Sequence, residues 1–220
     1  MNEVLFFAHI LAALIFLGVA VRLGSMALAA FIALSGVLAN LFVVKQMNLF
    51  GLQVTCSDVY AIGGILGLNL LQELYGKEAA NRAIRSSIFV LLLFVLMSQI
   101  HLLYSPGEFD GTHAAFSIIL GQSPRIVAAS VGVYYLVQKL DVLFFTFLKR
   151  WIENLGTRLM LSLFISQALD TVLFSFFGLY GLVASLFDVI VVSLIVKYAI
   201  ILCSSHFAAL FKRYLWKAAA

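Results

Sequence analysis

Charged residues are scarce in this chain. They make up 11% of its 220 residues, whereas hydrophobic residues make up 64%. Soluble domains carry about 25% charged residues, so this composition excludes an ordinary soluble fold. The sequence has two prolines and long runs of Leu, Phe, Ile and Val, and it lacks the short alternating strands, separated by turns, of a transmembrane barrel. We therefore predict an all-α fold, a polytopic transmembrane bundle of six or seven helices.

Metal-ligating and nucleophilic residues are equally sparse. The two cysteines, Cys56 and Cys203, have no metal spacing and are predicted near opposite membrane faces, so no disulfide is expected. The histidines are scattered without ligand spacing at positions 9, 101, 113 and 206. We predict no metal and no cofactor. We also expect no enzyme. No histidine lies at the depth of a possible serine nucleophile. An aspartyl pair needs two carboxyl groups in register, and the only support for Asp141 and Asp170 as such a pair is that there are two of them.

Seven apolar runs approach the roughly 20 residues that a membrane-spanning helix needs. They are Val4–Val21, Leu23–Val44, Val59–Tyr75, Ser86–Tyr104, Arg125–Leu148, Leu159–Gly178 and Leu182–Cys203. An eighth apolar piece, Ala115–Pro124, is too short to cross and is predicted to lean over the outer face. We interpret residues 1–22 as an extra N-terminal transmembrane helix and residues 23–212 as one helical membrane domain.

Basic residues mark one side of the membrane. Lys and Arg favour cytoplasmic loops, and here they cluster on alternate connections, at Arg22 and within 77–85, 149–158 and 212–217. The intervening connections hold Lys45 and the acidic stretch SPGEFDGTH. The pattern predicts a protein of the inner membrane with its N-terminus outside and its C-terminus in the cytoplasm. The distribution of the basic residues, which outnumber the acidic ones to give a formal charge of +4, therefore reports orientation. We expect the lipid bilayer, and no nucleic acid, as a partner.

Polar side chains inside the spans are the unusual feature, because an ionisable group at the membrane centre costs about 2.5–3.5 kcal/mol. Three spans carry them at helical spacing: Asn69 and Glu73 on the third, Ser130, Tyr134, Gln138 and Asp141 on the fifth, and Ser162, Ser166, Gln167 and Asp170 on the sixth. These stripes predict a common polar interior. Asp188 and Lys197 on the seventh span are nine residues apart, on opposite faces, and cannot form one site.

A different interpretation of the same residues stays open. Polar groups in membrane helices also hold neighbouring helices together, at about 0.6 kcal/mol each. Glu73 could simply pair with Lys77 at the next turn, and mutual ion pairing could account for Asp170 and Arg125. If instead the groups face a ligand, a mixture of carboxylates, amides, an arginine and aromatic rings suits a flat polar solute. A guanine-like ring offers donors, a carbonyl and a stacking face to such groups.

Four stretches carry most of these polar residues in order along the chain: ANLFVVKQMNLFG (39–51), NLLQELYGKEAANRAI (69–84), FSIILGQSPRIVAASVGVYYLVQKLDVLFF (116–145) and SQALDTVLFSFFGLYG (166–181). They resemble the successive signatures of the queuosine precursor transporter family. The members of this family are bacterial membrane proteins. The resemblance covers about residues 35–200. It implies a compact bundle similar in fold to the substrate-binding components of energy-coupling-factor transporters.

The resemblance also implies a substrate and a site. The substrate would be a deazapurine base: 7-cyano-7-deazaguanine, 7-aminomethyl-7-deazaguanine or queuine. Its candidate binding residues are Asn40, Asn69, Glu73, Arg125, Tyr134, Gln138, Asp141, Gln167, Asp170 and Phe174. Among these, carboxylates and amides would accept the donor edge of the base, Arg125 would meet the carbonyl, and Tyr134 or Phe174 would stack. Asn69 departs from the family pattern, which usually has an Asp there.

Two other functions are compatible with this sequence. The chain could be a substrate-binding component for a different vitamin that docks on an energising module, or a non-transporting membrane scaffold. It contains no P-loop motif for ATP, so import would use a gradient, metabolic trapping or a separate ATPase. A bundle this small is also compatible with a homodimer.

Overall fold

In the computed structural model, which describes residues 1–43, 45–55, 57–121, 124–181 and 186–215, the chain is a helical bundle with one short hairpin. Side chains are described for the same residues except 46, 52–55, 124, 188 and 203–215. The elements are α1 Asn2–Leu23, α2 Ser25–Phe42, β1 Gln46–Leu49, β2 Leu52–Thr55, α3 Asp58–Leu102, α4 His113–Leu120, α5 Pro124–Leu148, α6 Leu155–Phe174, a π-helical turn at Ser175–Leu179, and α7 Leu186–Leu215.

The helices have the length and composition to cross a membrane. Within the described residues, α1, α2, α3, α5 and α6 each contain an apolar stretch long enough to span, and α7 contains a shorter one at Val189–Leu202. Helix α4 has eight residues and is too short to cross, as expected for this segment. The predicted polytopic helical bundle is therefore confirmed. The two cysteines cannot be assessed, because Cys56 and the side chain of Cys203 lie outside the described residues.

Helix α3 comprises two arms. Its 45 residues would extend about 68 Å as a straight helix, about twice the roughly 30 Å hydrocarbon core. Gly76 interrupts it with φ 84° and ψ 170°. Asp58 at the start of α3 shares a cavity with Asn40, and Ser98 near its end also lies beside Asn40. Both ends therefore lie at the same end of the bundle, and the chain reverses direction at Gly76.

The connection predicted between the third and fourth spans is thus helical rather than a loop. Residues 77–85 continue the second arm, and Ala80 and Ile84 are completely buried. The basic residues of this segment had suggested an open connection. Its alanines and Ile84 instead give the helix an apolar face that packs into the core.

The hairpin between α2 and α3 was not predicted. Strands β1 and β2 pair antiparallel, with Leu49 opposite Leu52, and Phe50 and Gly51 form the turn with φ of 50° and 80°. Positive φ at both central residues is the geometry of the tight hairpin turn that follows the twist of the strands. Leu49 is 2% exposed, so this end of the hairpin is anchored in the core.

The centre of the core lies where α2 meets the first arm of α3. Leu28 and Ile32 from α2 and Leu66 and Leu68 from α3 are at most 1% exposed. Helix α1 packs against α2, α3 and α7, and its Leu17 belongs to the same apolar cluster. The assignment of residues 1–22 as an addition to the bundle stays a prediction.

Replacing Gly76 with alanine should destabilise the protein. A φ of 84° with ψ of 170° lies in a region essentially restricted to glycine, and a side chain there costs about 1–3 kcal/mol. We expect a lower melting temperature for the detergent-purified variant. Gly132→Ala is the matched control, because Gly132 is helical and a Cβ there would meet nothing within 4 Å. Equal melting temperatures for the two variants would contradict the assigned role of Gly76.

Candidate functional site

A cavity of about 560 Å³ opens inside the bundle. Its walls come from the C-terminal halves of α2 and α6 and the N-terminal halves of α3, α5 and α7. Because α2 and α6 run opposite to α5, α7 and the first arm of α3, all of these halves lie on the same side. The cavity therefore occupies one half of the membrane bundle. Its volume falls within the range of about 300–1,000 Å³ that is typical of small-molecule sites.

The cavity gathers six of the ten predicted binding residues. Asn40, Tyr134, Gln138, Gln167, Asp170 and Phe174 all line it. They come from α2, α5 and α6, which the sequence alone could not place side by side. Asn69, Glu73, Arg125 and Asp141 do not line it. That any of the ten binds a substrate stays a prediction.

Two glutamines contribute unpartnered polar groups to the wall of the cavity. Gln138 is 1% and Gln167 is 0% exposed. By geometry, neither side-chain amide makes a hydrogen bond within the described residues, although Gln138 is close enough to interact with the Tyr134 hydroxyl, and the Thr171 hydroxyl has no partner among them either. Buried polar atoms are nearly always hydrogen-bonded in native proteins. These donors and acceptors are therefore available to a ligand or to water inside the cavity.

Aromatic rings and a small residue shape the walls. Tyr134 from α5 and Phe174 from α6 line the cavity. A Cβ at Gly36 would lie 3.2 Å from the Tyr134 hydroxyl oxygen, so the glycine lets this ring reach α2. Asn40 is fixed nearby, because its Nδ2 donates to the Gly36 carbonyl at 3.0 Å and its Oδ1 accepts from the Ser130 hydroxyl. The π-helical turn that follows Phe174 is a feature often found at functional sites.

An ionic group, which we call the Lys197 triad, lies in the same cavity, and its Asp170 side chain is 26% exposed. Lys197 Nζ is 3.0 Å from Asp170 Oδ2 and 3.8 Å from Asp58 Oδ1. Lys197 and Asp58 are each 5% exposed. These three are the charged residues among the described cavity-lining positions. Two carboxylates and one ammonium, all ionised, give the cavity an excess of one negative charge.

Sequence reasoning missed this triad. The predicted third span begins at Val59 and therefore excludes Asp58. Lys197 was noticed, but its partners lie on other helices and no spacing along the chain links them. The one available signal was that a lysine within an apolar span needs a counter-charge.

Two of the remaining predicted residues have other partners. Glu73 Oε1 accepts from Arg158 Nη2 at 2.7 Å, and Glu73 Oε2 is 3.1 Å from Lys149 Nζ. We call these three residues the Glu73 cluster; the alternative partner Lys77 is not the one observed. Arg125 is exposed and donates from Nε to the carbonyl of Phe177 at 2.9 Å.

Asp141 and Asn69 form a separate buried layer. Asp141 is 1% exposed, and its Oδ1 accepts from the hydroxyls of both Ser162 and Ser166 at 2.6 Å. Asn69 is completely buried and lies close enough to interact with the Asp141 carboxyl group. Along α5, this layer is one helical turn beyond the cavity-lining Gln138.

An apolar multi-helix bundle that encloses a polar cavity defines the class of protein: a multi-pass membrane protein. A family model described as "Putative vitamin uptake transporter" matches residues 59–211. The chain belongs to this family of transporters, as its sequence motifs predicted.

The name of a curated relative is consistent with membership in this family. A protein of Bacillus subtilis (strain 168) named "Probable queuosine precursor transporter" is 30% identical over 196 residues, which cover 84% of this chain and 83% of the relative. No solved structure matches the chain significantly.

Removing the charge of Lys197 should strongly destabilise the bundle. Lys197→Met leaves Asp170 and Asp58 near each other without a cation, and breaking a buried ion pair in this way costs about 3–5 kcal/mol. We expect a large fall in melting temperature.

Adding Asp58→Asn and Asp170→Asn to that variant should recover much of the lost stability, because no buried charge then lacks a partner. Lys45→Met, at an exposed position, is the control. If Lys197→Met were as stable as the control, the triad would not support the cavity.

Proposed function

We propose that this protein imports a queuosine precursor, a 7-deazaguanine base, across the cytoplasmic membrane. The observation that carries the proposal is the cavity, in which buried unpartnered amides, carboxylates and aromatic rings converge within a membrane bundle. Membership in a transporter family supports transport, and the name of the Bacillus subtilis relative supports the substrate class.

The chemistry of the cavity suits both the edge and the face of such a base. A 7-deazaguanine presents a ring N–H and an amino group as donors and a neighbouring carbonyl as acceptor. The amide oxygens of Gln138 and Gln167 and the Asp170 carboxylate can accept from the donors, while an amide NH₂ can donate to the carbonyl. Tyr134 or Phe174 can stack on the ring face, as aromatic side chains do on extracted bases.

The charge of the cavity favours one precursor. The Lys197 triad carries two carboxylates and one ammonium, so the ionised cavity attracts a cation. The aminomethyl precursor carries a protonated amine at neutral pH, whereas the cyano precursor is neutral. We therefore expect 7-aminomethyl-7-deazaguanine to bind more tightly than 7-cyano-7-deazaguanine.

The distribution of basic residues supports transport into the cell. Arg22, Lys77, Arg85, Lys149 and Arg150 lie at the helix ends opposite the cavity. If this end is cytoplasmic, as the preference of Lys and Arg for the inside indicates, the cavity lies in the outer half of the membrane. The conformation is then one that receives a solute from outside, with the C-terminus in the cytoplasm.

Complementation tests the substrate directly. The gene is expressed in bacteria that can neither make the base nor import it, and queuosine in their tRNA is measured with each precursor supplied in turn. We expect restoration, at the lowest external concentration with the aminomethyl compound. No restoration by any of the three precursors would overturn the substrate assignment.

Substitutions in the cavity should reduce uptake without loss of the protein. We expect Gln138→Ala, Gln167→Ala and Phe174→Ala each to lower uptake at limiting substrate about tenfold, because one lost ligand contact is worth about 1–1.5 kcal/mol. Phe89→Ala is the control for the aromatic change, since Phe89 is 66% exposed. Unchanged uptake in all three cavity variants, with lowered melting temperatures, would favour a scaffold instead.

A further inference from the structure

Asp141 lies on the line that joins the cavity to the opposite end of the bundle. Along α3, Ile65 lines the cavity, Asn69 follows one turn later, and Glu73 one turn after that. Along α5, Asp141 follows the cavity-lining Gln138 by one turn. The buried layer of Asp141 and Asn69 therefore separates the cavity from the Glu73 cluster. A solute or ion that crosses the protein must pass this layer.

The hydrogen bonds of Asp141 are distributed unequally over its two oxygens. Both serine hydroxyls donate to Oδ1 at 2.6 Å, whereas Oδ2 has no hydrogen-bond partner within the described residues. An ionised carboxylate accepts on both oxygens, but a protonated one keeps one accepting oxygen and carries a donor on the other. The pattern is that of a carbonyl at Oδ1 and a hydroxyl at Oδ2.

The neighbour of Asp141 completes this arrangement. Asn69 is close enough to interact with the Asp141 carboxyl group, and its amide makes no hydrogen bond within the described residues. An amide oxygen there can accept from a hydroxyl at Oδ2. Ser162 and Ser166 already have their acceptor, so a proton on Asp141 Oδ2 supplies the Asn69 oxygen with a donor.

The surrounding charges leave Asp141 without a counter-ion. From α3 and α6, the ionisable groups Glu73 and Arg158 pair with each other in the Glu73 cluster. From α7, Lys197 is held by Asp170 and Asp58 in the Lys197 triad. Within the described residues, no cation forms an ion pair with Asp141. A buried anion without a partner is costly, and such a group is neutralised instead.

A proton fits this position better than a metal cation. Asp141 is 1% exposed and does not line the cavity, so the described packing leaves no space beside it for a hydrated ion. A proton needs no additional volume, because it forms a covalent O–H bond with an atom already present.

We propose that Asp141 is a proton-carrying site and that import is coupled to proton entry. This inference rests on the proposed transport function and adds its energy source. A hydronium ion in the cavity gives up its proton, which forms an O–H bond at Asp141 Oδ2 and neutralises the layer, and a water molecule is left behind. When the bundle opens on the cytoplasmic side, that bond breaks and the proton leaves to cytoplasmic water. The carboxylate then takes up another proton once the cavity faces outward again.

Infrared spectroscopy tests the proton site without any substrate. A buried protonated carboxyl group absorbs at a carbonyl-stretch position distinct from that of carboxylates. We expect this band in the purified protein at neutral pH and expect Asp141→Asn to remove it. Ser162→Ala should shift the band to higher frequency, because the carbonyl oxygen loses a donor, while Asp170→Asn should leave it in place. An absent band, or a band that persists in Asp141→Asn, would overturn the proposal.

Uptake into proteoliposomes tests the coupling. With an inward proton gradient, the wild-type protein should accumulate 7-aminomethyl-7-deazaguanine above its external concentration, and dissipation of the gradient should abolish the accumulation. Asp141→Asn resembles the protonated state, so it should still exchange labelled for unlabelled substrate but reach only equal concentrations on both sides. The exchange reaction also demonstrates that the variant is folded.

The outcomes separate the two proposals. Exchange without any uptake driven by a proton gradient in the wild type, or gradient-driven accumulation that persists in Asp141→Asn, would overturn proton coupling and leave the transport function intact. No uptake or exchange of any precursor by the wild type would overturn the proposed substrate, while the infrared band would still decide whether Asp141 holds a proton.

Discussion

The ammonium of Lys197 between two carboxylates is the interaction on which the cavity depends. Water is absent from the centre of a bilayer, so each charge there must find its partner within the protein. Lys197 on α7 reaches Asp170 on α6 and Asp58 at the start of α3. A single cation therefore holds three helix segments around an open, polar space. Without it, two carboxylates would face each other across the cavity, and the three helix segments would lose the ion pairs that connect them.

The same constraint orders the bundle along its axis. The Lys197 triad lies in the cavity, the Asp141 layer follows one turn deeper, and the Glu73 cluster closes the opposite end. Each level satisfies its charges in a different way: an ion triplet, a carboxyl group bonded by two serines, and a carboxylate held by Arg158 and Lys149. A bundle open to a solute on one side and closed by paired charges on the other fits a carrier that alternates its access around a central site.

The sequence predicted more of the fold than of the site. Long apolar runs indicated the helices correctly because hydrophobic length is read directly from composition. The prediction of a loop at residues 77–85 was wrong. The basic residues there are typical of a connection, although Ala80 and Ile84 are buried. The hairpin was missed because its strands have only four residues each. Within the site, helical spacing selected Gln138, Gln167 and Asp170, which do line the cavity.

The sequence by itself determined the class of protein, the family and the polar stripes, because composition, motif order and helical periodicity are local properties of the chain. Only the tertiary structure decided which stripe residues meet. It places Asp58 beside Lys197, which is 139 positions later in the chain. It pairs Glu73 with Arg158 rather than with Lys77, and it separates Asp141 from the cavity. The physical reason is that each buried charge pairs with the group of opposite charge that lies nearest to it in space. Helix packing decides which group that is, and the spacing of residues along one helix contains no information about it.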